Sequence, residues 1–493
     1  MSRPPLALLT VVATTAVLVA VGNTTTPGPA RVAARDRTLE PVVGALAICP
    51  ELLQAGGDVQ TRLTAGTARQ GPLLVRAASI EPKTGSGPPV LVRGGEVGAF
   101  GLPGNTAVAV AATATGALAG TVEAEQVSRG ADGIQRGLAG VRCEPVSQDT
   151  WFVGGSTRVG AETDLILVNP YNDTALVDVR IFGTSANVPD EPIAFTVKPR
   201  SRVRIDLEKH APEEEAVSLH ITVREGRVSP AVRDARRGTT TPLGADWVPR
   251  AGYPAYQVDI GGIPEANASR WLYLLAPGED DATVRVQAFF GNEQLVAPGL
   301  EEIEVPAGRV KAVSLQPLGG RTAALRVASE GAPVLASVFN EQKARFNPIR
   351  EFAYVSATRP LTGPTLVTEG RSAPEVRTVI ILSAPDAPGE VTVSAFPVRG
   401  RKPKPVSKKF AIPQGRLVAV LLRGLILEDG LQPVLVTPTP GKGPVYATRA
   451  IVEQGRRGPL LTVLSLETKS GEVPVGAVRR DPRVSLINPK PDQ

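Results

Sequence analysis

Histidine and aromatic residues are scarce in this sequence, and their scarcity excludes several kinds of catalytic site. The chain has two histidines, His210 and His220, and aromatic residues make up only 4% of it. A Ser-His-Asp or Cys-His nucleophile would have to use one of these two histidines. A glycosidase cleft needs two facing carboxylates and an aromatic lining, for which the chain has too few aromatic residues. Its cores must therefore consist mainly of Val, Leu, Ile and Ala.

Common catalytic motifs are missing as well. The sequence has no G-x-S-x-G, no H-E-x-x-H, no P-loop and no S-x-x-K with its partner motifs. His220 alternates with Leu219 and Ile221, which predicts a surface position, and His210 follows Lys209 in a turn. The acidic runs 213–215 and 279–281 could attract a cation, but they lack spaced oxygen ligands for calcium and are typical of solvated turns. We therefore predict no catalytic, cofactor-binding or metal-binding residues and no enzyme activity.

Cysteine is limited to Cys49 and Cys143, both near the N-terminus. An even count in an exported chain favours one disulfide. Metal binding is the rival interpretation, but no third or fourth ligand is spaced near the pair. Closing so long a loop contributes about 4 kcal/mol in the chain-entropy model.

Charge is not concentrated enough to indicate nucleic acid. The formal net charge of +6 is spread over 493 residues, without the dense Lys/Arg stripe and stacking aromatics that nucleic-acid binding requires. The densest basic run is interrupted by prolines and consists of Arg401, Lys402, Lys404, Lys408 and Lys409. It is typical of a solvated hairpin loop, and its alternative role is electrostatic binding of an anionic envelope polymer or lipid headgroup.

The N-terminus has the pattern of an export signal. Arg3 precedes an uncharged apolar run over residues 6–21. One positive residue before such a run is typical of export, and the run is just long enough to span a bilayer. No clear A-x-A site follows, which favours an uncleaved signal-anchor with Arg3 inside, although cleavage stays open. Residues 1–22 are thus predicted as a hydrophobic helix that contacts the membrane, and residues 23–39 as a flexible spacer.

A long internal repeat organises the rest of the chain. The step from residue 182 to 289, and again from 289 to 396, is 107 residues. Three residue types keep this step: Phe182, Phe289 and Phe396; Pro199, Pro306 and Pro413; Arg202, Arg309 and Arg416. A fixed step over this length indicates a tandem array of one module.

Each repeat reads as a series of short strands. Apolar runs at 165–170, 272–277 and 379–385 each end at a proline turn. An alternating strand follows, in which Val177, Val179 and Ile181 interleave with polar residues in the first clear repeat. Period-two alternation places one face in a core and the other in water. The recurring phenylalanine at the end of this strand is expected to plug the bottom of each module.

These patterns predict an all-β chain of tandem antiparallel β-sandwiches of immunoglobulin or fibronectin type. The predicted modules are a divergent disulfide-bonded sandwich at 40–150, repeats at 151–245, 246–360 and 361–480, and a tail at 481–493. Short linkers favour a stiff end-to-end rod. Trp151 and the Asp246-Trp247 pair are expected to fill the creases between modules.

The order of several sequence motifs resembles that of a known family. A signal-anchor and a cysteine pair are followed by Trp-Phe-Val-Gly-Gly at 151–155, Leu-x-Asn-Pro at 167–170 and Ala-x-Val-x-Val at 175–179. Together they resemble an uncharacterised family of exported actinobacterial cell-envelope proteins. The resemblance implies an extracytoplasmic location and transfers no site, because the family has no established activity.

The sequence therefore favours a membrane-tethered, non-catalytic scaffold of the bacterial envelope. Its partner would be an envelope protein or a cell-wall polymer, and nucleic acid is not expected. A binding module for anionic or carbohydrate wall polymers is the first alternative, and an enzyme acting on envelope glycans is the second.

Overall fold

The computed structural model describes residues 37–50, 60–67, 69, 71, 73–80, 97–100, 108–130, 133, 136–239, 241–346, 348–396, 406–426, 430–455 and 457–476. Within these ranges the regular secondary structure is almost entirely strand, with three short 3-10 helices and no α-helix. The predicted all-β class is confirmed for this part of the chain. The predicted N-terminal helix and the tail at 481–493 lie outside the described residues. No helix in the described part is long and apolar enough to cross a membrane.

The strands are numbered in chain order. They are β1 (Arg37–Pro41), β2 (Gly44–Cys49), β3 (Gln60–Gly66), β4 (Leu74–Ser79), β5 (Val97–Phe100), β6 (Val110–Thr115), β7 (Glu123–Gly130), β8 (Gly137–Arg142), β9 (Asp149–Val153), β10 (Ala161–Asn169), β11 (Ala175–Phe182), β12 (Ile193–Val197), β13 (Ser201–Asp206), β14 (Ser218–Glu225), β15 (Ser229–Arg237), β16 (Pro242–Val248), β17 (Arg250–Ala251), β18 (Gln257–Ile263), β19 (Arg270–Leu275), β20 (Ala282–Phe289), β21 (Gln294–Leu295), β22 (Ile303–Val305), β23 (Val310–Ser314), β24 (Ala323–Glu330), β25 (Leu335–Lys343), β26 (Arg350–Ser356), β27 (Thr365–Val367), β28 (Arg371–Ala373), β29 (Val376–Ala384), β30 (Gly389–Ala395), β31 (Ser407–Ile412), β32 (Arg416–Leu421), β33 (Gly430–Leu431), β34 (Val434–Pro438), β35 (Tyr446–Gly455), β36 (Gly458–Ser465) and β37 (Glu472–Gly476).

The chain divides into two compact units. Strands β1 and β37 pair antiparallel in one of them, with Arg37 opposite Gly476. The other unit is Val42–Gly471 and contains all the remaining strands.

Val42–Gly471 consists of four copies of one pair of antiparallel sheets. Copy 1 holds β2–β8, copy 2 β9–β17, copy 3 β18–β26 and copy 4 β27–β36. In each copy, one sheet contains the first strand and is called here the first-strand sheet; in copy 2 its order is β12-β11-β14-β9-β17. The other contains the last long strand and is called the last-strand sheet; in copy 2 its order is β13-β10-β15-β16. The main strands of the other three copies follow the same order.

Alternation of buried and exposed side chains explains why these segments form strands. Val177, Val179 and Ile181 on β11 are buried, whereas the residues between them are partly exposed. The matching strands β20 and β30 show the same period in their first residues. The predicted period-two strands are therefore confirmed, because each of them covers an apolar core with one face.

Neighbouring copies share apolar packing. The first-strand sheet of one copy packs against the last-strand sheet of the next copy at the first three junctions. One buried pair from each junction illustrates this arrangement: Ile48 with Ile166, Phe152 with Phe339, and Phe289 with Ile381, each pair within one apolar cluster. Trp247 also belongs to the cluster between copies 1 and 2, as expected for a residue that fills a crease. It lies on β16, which spans the predicted boundary between residues 245 and 246.

Copy 4 returns to contact copy 1. Val127 and Leu138 of copy 1 pack with Ile451 and Leu460 of copy 4. Buried Arg449 bonds the carboxylate of Glu125 across the same junction, at 2.6 Å between Nη1 and Oε2. The four last long strands, β8, β16, β26 and β36, converge so that each touches the next and β36 touches β8. The expected end-to-end rod is therefore wrong, because the apolar sheet faces that would be exposed along a rod are buried between copies.

Candidate binding site

The place where β8, β16, β26 and β36 meet is called here the hub. The repeat step of 107 residues relates Gly137, Gly244, Glu351 and Gly458, each of which is among the first three residues of its strand. A Cβ at Gly244 would lie 2.6 Å from Glu351 Oε1, and one at Gly137 would lie 3.2 Å from the same oxygen. The two glycines therefore leave the space that a single central carboxyl group occupies.

Arg136 connects three copies around this carboxyl group. Its Nη1 lies 3.8 Å from Glu351 Oε2, and both side chains are buried. The guanidinium also donates to the backbone oxygens of Arg350, Gly458 and Pro459, at 3.1 to 3.3 Å. Burial raises the pKa of Glu351 well above its ordinary value, and the nearby Arg136 opposes this shift.

A second buried carboxyl group, that of Asp246, lies at the hub. Its Oδ1 accepts a hydrogen bond from the Gly140 N–H at 3.1 Å and lies 3.4 Å from Thr462 Oγ1. Its Oδ2 has no hydrogen-bond partner among the residues that the structure describes. Burial raises the pKa of Asp246 well above its ordinary value, and the backbone N–H groups only partly offset this. The hub thus joins copies 1, 2 and 4 through one side chain.

A cavity of about 240 Å³ opens beside the hub, at the far ends of the same strands. All four copies line it: Val141 and Arg142 from copy 1, Trp247 from copy 2, Ala357 after the last strand of copy 3, and Val463 from copy 4. Arg359, which is exposed, and Glu467, which is partly exposed, also line it. The cavity exists only because the copies meet.

Positive charge at this cavity exceeds negative charge. Arg142 lies 3.0 Å from Glu123, 3.4 Å from Glu467 and 3.9 Å from Glu144, so its charge is compensated. Arg250 donates to two backbone oxygens and to Ser229 Oγ, which are all neutral. Burial lowers the pKa of Arg250, and Glu144 partly opposes this.

The disulfide predicted from the cysteine pair is confirmed. Cys49 at the end of β2 and Cys143 just after β8 are joined, with 1.99 Å between sulfurs and 4.4 Å between Cα atoms. Both cysteines are buried in the apolar core of copy 1. The bond ties the first-strand sheet of this copy to the end of its last strand.

The predicted polymer-binding residues are only partly described. Arg401, Lys402 and Lys404 lie outside the described residues. Lys408 and Lys409 are exposed on β31, an edge strand of its sheet. Lys409 Nζ lies 3.3 Å from Glu390 Oε1, and Lys408 lies 5.3 Å from the centre of the Phe410 ring.

His220 and residues of the two acidic runs contact neighbouring residues of the fold through ring stacking and hydrogen bonds. His220 is partly exposed, stacks on Trp151 with 3.7 Å between ring centres and lies 3.3 Å from Asp149 Oδ2. The carboxylate of Glu214 accepts hydrogen bonds from Thr184 and Ser185. Burial alone would raise the pKa of Glu214, but these hydrogen bonds hold it below the ordinary value. Asp281 accepts the Ala307 N–H at 2.7 Å. No group of three metal-ligating side chains occurs in the described part of the chain.

Sequence reasoning missed the hub and the cavity. The sequence does contain one indication of the hub. The step of 107 residues extends back to Gly137, and at the four positions that it relates, three residues are glycine and one is Glu351. The same step aligns Asp246 with Ala139, Ala353 and Leu460, which are all apolar. A charged residue at a position that is otherwise apolar is an indication of a special buried site.

These features define an all-β protein of four repeated sheet pairs, with one disulfide and a cavity where the copies meet. The chain belongs to DUF5719, a family of unknown function, whose family model matches residues 101–422. A search of curated proteins finds no match. Among solved structures, Bacteroides uniformis beta-glucuronidase 2, covalently bound to cyclophellitol-6-carboxylate aziridine, is 12% identical over 42% of this chain, with a TM-score of 0.10. The match spans 25% of that enzyme's chain, and so low a score carries no argument about fold or activity.

Proposed function

We propose that this protein is a membrane-tethered, extracytoplasmic scaffold of the bacterial cell envelope that binds partners and does not catalyse a reaction. The observation that carries this proposal is the closed arrangement of four copies around one hub. Shared apolar junctions make Val42–Gly471 one stiff body, which suits presentation of loops and sheet edges to partners.

Each sheet pair is proposed to be a β-sandwich related to the immunoglobulin fold. In copy 2, β10 pairs with β13 and β11 pairs with both β12 and β14, as strands B, E, C, C′ and F pair in that fold. The outer strands differ, because β9 pairs with β14 and β15 pairs with β10. The first strand thus takes the place of strand G, and the strand after F takes the place of strand A.

Export is supported by two features. The apolar run at residues 6–21 after Arg3 is typical of a signal-anchor. The disulfide between Cys49 and Cys143 is typical of an oxidising compartment. The family resemblance noted from the sequence adds an actinobacterial envelope as the proposed setting.

Cross-linking in intact cells tests the scaffold. The full chain with a C-terminal affinity tag is cross-linked, purified from the envelope fraction and compared with a tagged, unrelated membrane-anchored protein. We expect the chain to remain in the membrane after alkaline washing and to recover a specific envelope partner. Recovery of the same proteins as the control, together with a deletion strain that grows and divides normally, contradicts the proposal.

Binding of an anionic or carbohydrate wall polymer is the second candidate. The observation that favours it is the exposed position of Lys408 on an edge strand, without an ion-pair partner in the described part of the chain. Cosedimentation with purified wall material is expected to weaken in salt and when Arg401, Lys402, Lys404, Lys408 and Lys409 are all replaced by Gln. The matched control replaces one arginine and four lysines that are exposed elsewhere by Gln: Arg309, Lys198, Lys209, Lys311 and Lys343. Equal losses in both variants contradict this role.

A further inference from the structure

We propose that the cavity beside the hub binds a small organic anion, an apolar body that carries one carboxylate or phosphate group. This inference concerns a site inside the folded chain and does not depend on where the protein is located. It follows from the shape of the cavity, its apolar walls and the excess of arginine over glutamate in its lining.

The apolar part of the ligand is accommodated by the cavity walls. Phe152 and Trp247 are buried aromatic residues of the lining, and Pro230, Val248 and Val463 extend its apolar surface. Ligand sites are typically concave and mostly apolar, with a few polar groups that fix orientation. A volume of about 240 Å³ suits a molecule of short-chain size rather than a folded partner or a long lipid.

The charge of the lining favours an anion over a cation. Glu467 and Glu144 already lie within 4 Å of cations, because Arg142 contacts both and Lys469 lies 3.8 Å from Glu144. Arg250 donates hydrogen bonds only to neutral acceptors, although Glu144 is near enough to act on its charge. Arg359 has no hydrogen-bond or ion-pair partner among the described residues. The lining thus holds three arginines against two glutamates, and this excess of positive charge favours an anion over a cation.

Titration calorimetry with four matched ligands tests the proposal on the full chain in a non-ionic detergent. The ligands are hexanoate, hexyl phosphate, hexylammonium and hexanol, which share one apolar body. We expect one or both anions to bind at least about tenfold more tightly than the cation and the alcohol, since hydrogen bonds to charged groups contribute this much. The two anions separate a carboxylate site from a phosphate site. Equal affinity for all four ligands, or no binding of either anion, overturns the proposal.

Two variants locate the binding in the cavity. Arg359→Gln is expected to weaken anion binding about tenfold, whereas Arg309→Gln, at an exposed position outside the cavity, is expected to leave it unchanged. Ala357→Leu narrows the cavity from a partly exposed position and is expected to abolish binding while the melting temperature stays close to that of the wild type. Wild-type affinity in both Arg359→Gln and Ala357→Leu overturns the assignment of the anion to this cavity.

Discussion

Asp246 is a buried carboxylic acid at a position that is apolar in the other three copies. The other copies have Ala139, Ala353 and Leu460 at this position, and all of these are buried. Its carboxyl group is held by the Gly140 N–H, and no cation pairs with it among the described residues. The folded protein therefore favours the neutral form of Asp246, whereas the unfolded chain ionises it near pH 4.

Asp246→Asn is predicted to stabilise the protein at neutral and alkaline pH. A folded pKa above the unfolded value gives stability that is complete below about pH 4 and is lost as the pH rises towards the folded pKa. The stability difference between variant and wild type is expected to be close to zero near pH 4 and to grow by up to about 1.4 kcal/mol per pH unit. Chemical denaturation at several pH values measures it, with Asp280→Asn at an exposed turn as control. A variant less stable than wild type at pH 8 contradicts the prediction.

Gly137 is predicted to be intolerant of any side chain because the backbone of copy 2 lies directly against it. A Cβ at this position would lie 2.7 Å from Ala245 O and 2.9 Å from Ala245 N. Gly137→Ala is expected to destabilise the chain by about 1–3 kcal/mol through overpacking. Gly278→Ala is the control, since no atom lies within 4 Å of its Cβ position. Equal melting temperatures for the two variants contradict this reading of the hub.

At the scale of elements, contacts between neighbouring copies recur at the same repeat step as the strands themselves. Val310 N donates to Gly183 O between copies 2 and 3, and Leu417 N donates to Phe290 O between copies 3 and 4. These two hydrogen bonds are related by the step of 107 residues. Phe289 lies next to the second of them and packs with Ile381 and Leu417 of copy 4. It therefore joins copies, whereas the sequence predicted that it would plug the bottom of its own module.

Phe289→Ala is predicted to destabilise the protein by about 3–5 kcal/mol, as expected for loss of a buried ring. Because the ring contacts copy 4, a double-mutant cycle with Ile381→Val is expected to show a coupling energy of at least about 0.5 kcal/mol. Denaturant unfolding of the four proteins measures this coupling. The same cycle between Phe289 and Val177, which lies in the core around copy 2, is the control. Additive effects in the first cycle contradict the junction role.

The strands could be predicted from the sequence, whereas their assembly could not. Val177, Val179 and Ile181 reveal their strand through local alternation, and the cysteine pair reveals its disulfide through number alone. The packing of β8 against the distant strands β16 and β36 leaves no local pattern, because an apolar face looks the same whether its own copy or a neighbour covers it. The sequence predicts that Trp247 lies between copies, but nothing in it indicates that four copies meet beside this residue.

For the whole molecule, closure of four copies is the main finding. Compact packing predicts a radius of gyration of about 22 Å for Val42–Gly471, and a rod of four sandwiches in line predicts roughly twice that value. Small-angle scattering from this fragment distinguishes the two arrangements. The charge-reversed pair Arg129→Glu and Glu453→Arg, which exchanges the ends of an ion pair between copies 1 and 4, is the control and is expected to scatter identically. A value near 40 Å contradicts closure.

The contact between β36 and β8 has a consequence for the history of the gene. In an open array, a copy can be gained or lost at an end while the remaining junctions stay as they are. Here copy 4 contacts copy 1, so neither of these copies is a free end at which a further copy could be added. Glu351 also occupies a space that glycines in copies 1 and 2 leave for it. Duplication could proceed one copy at a time only until the fourth arrived, after which any change in number would require every interface to be rebuilt.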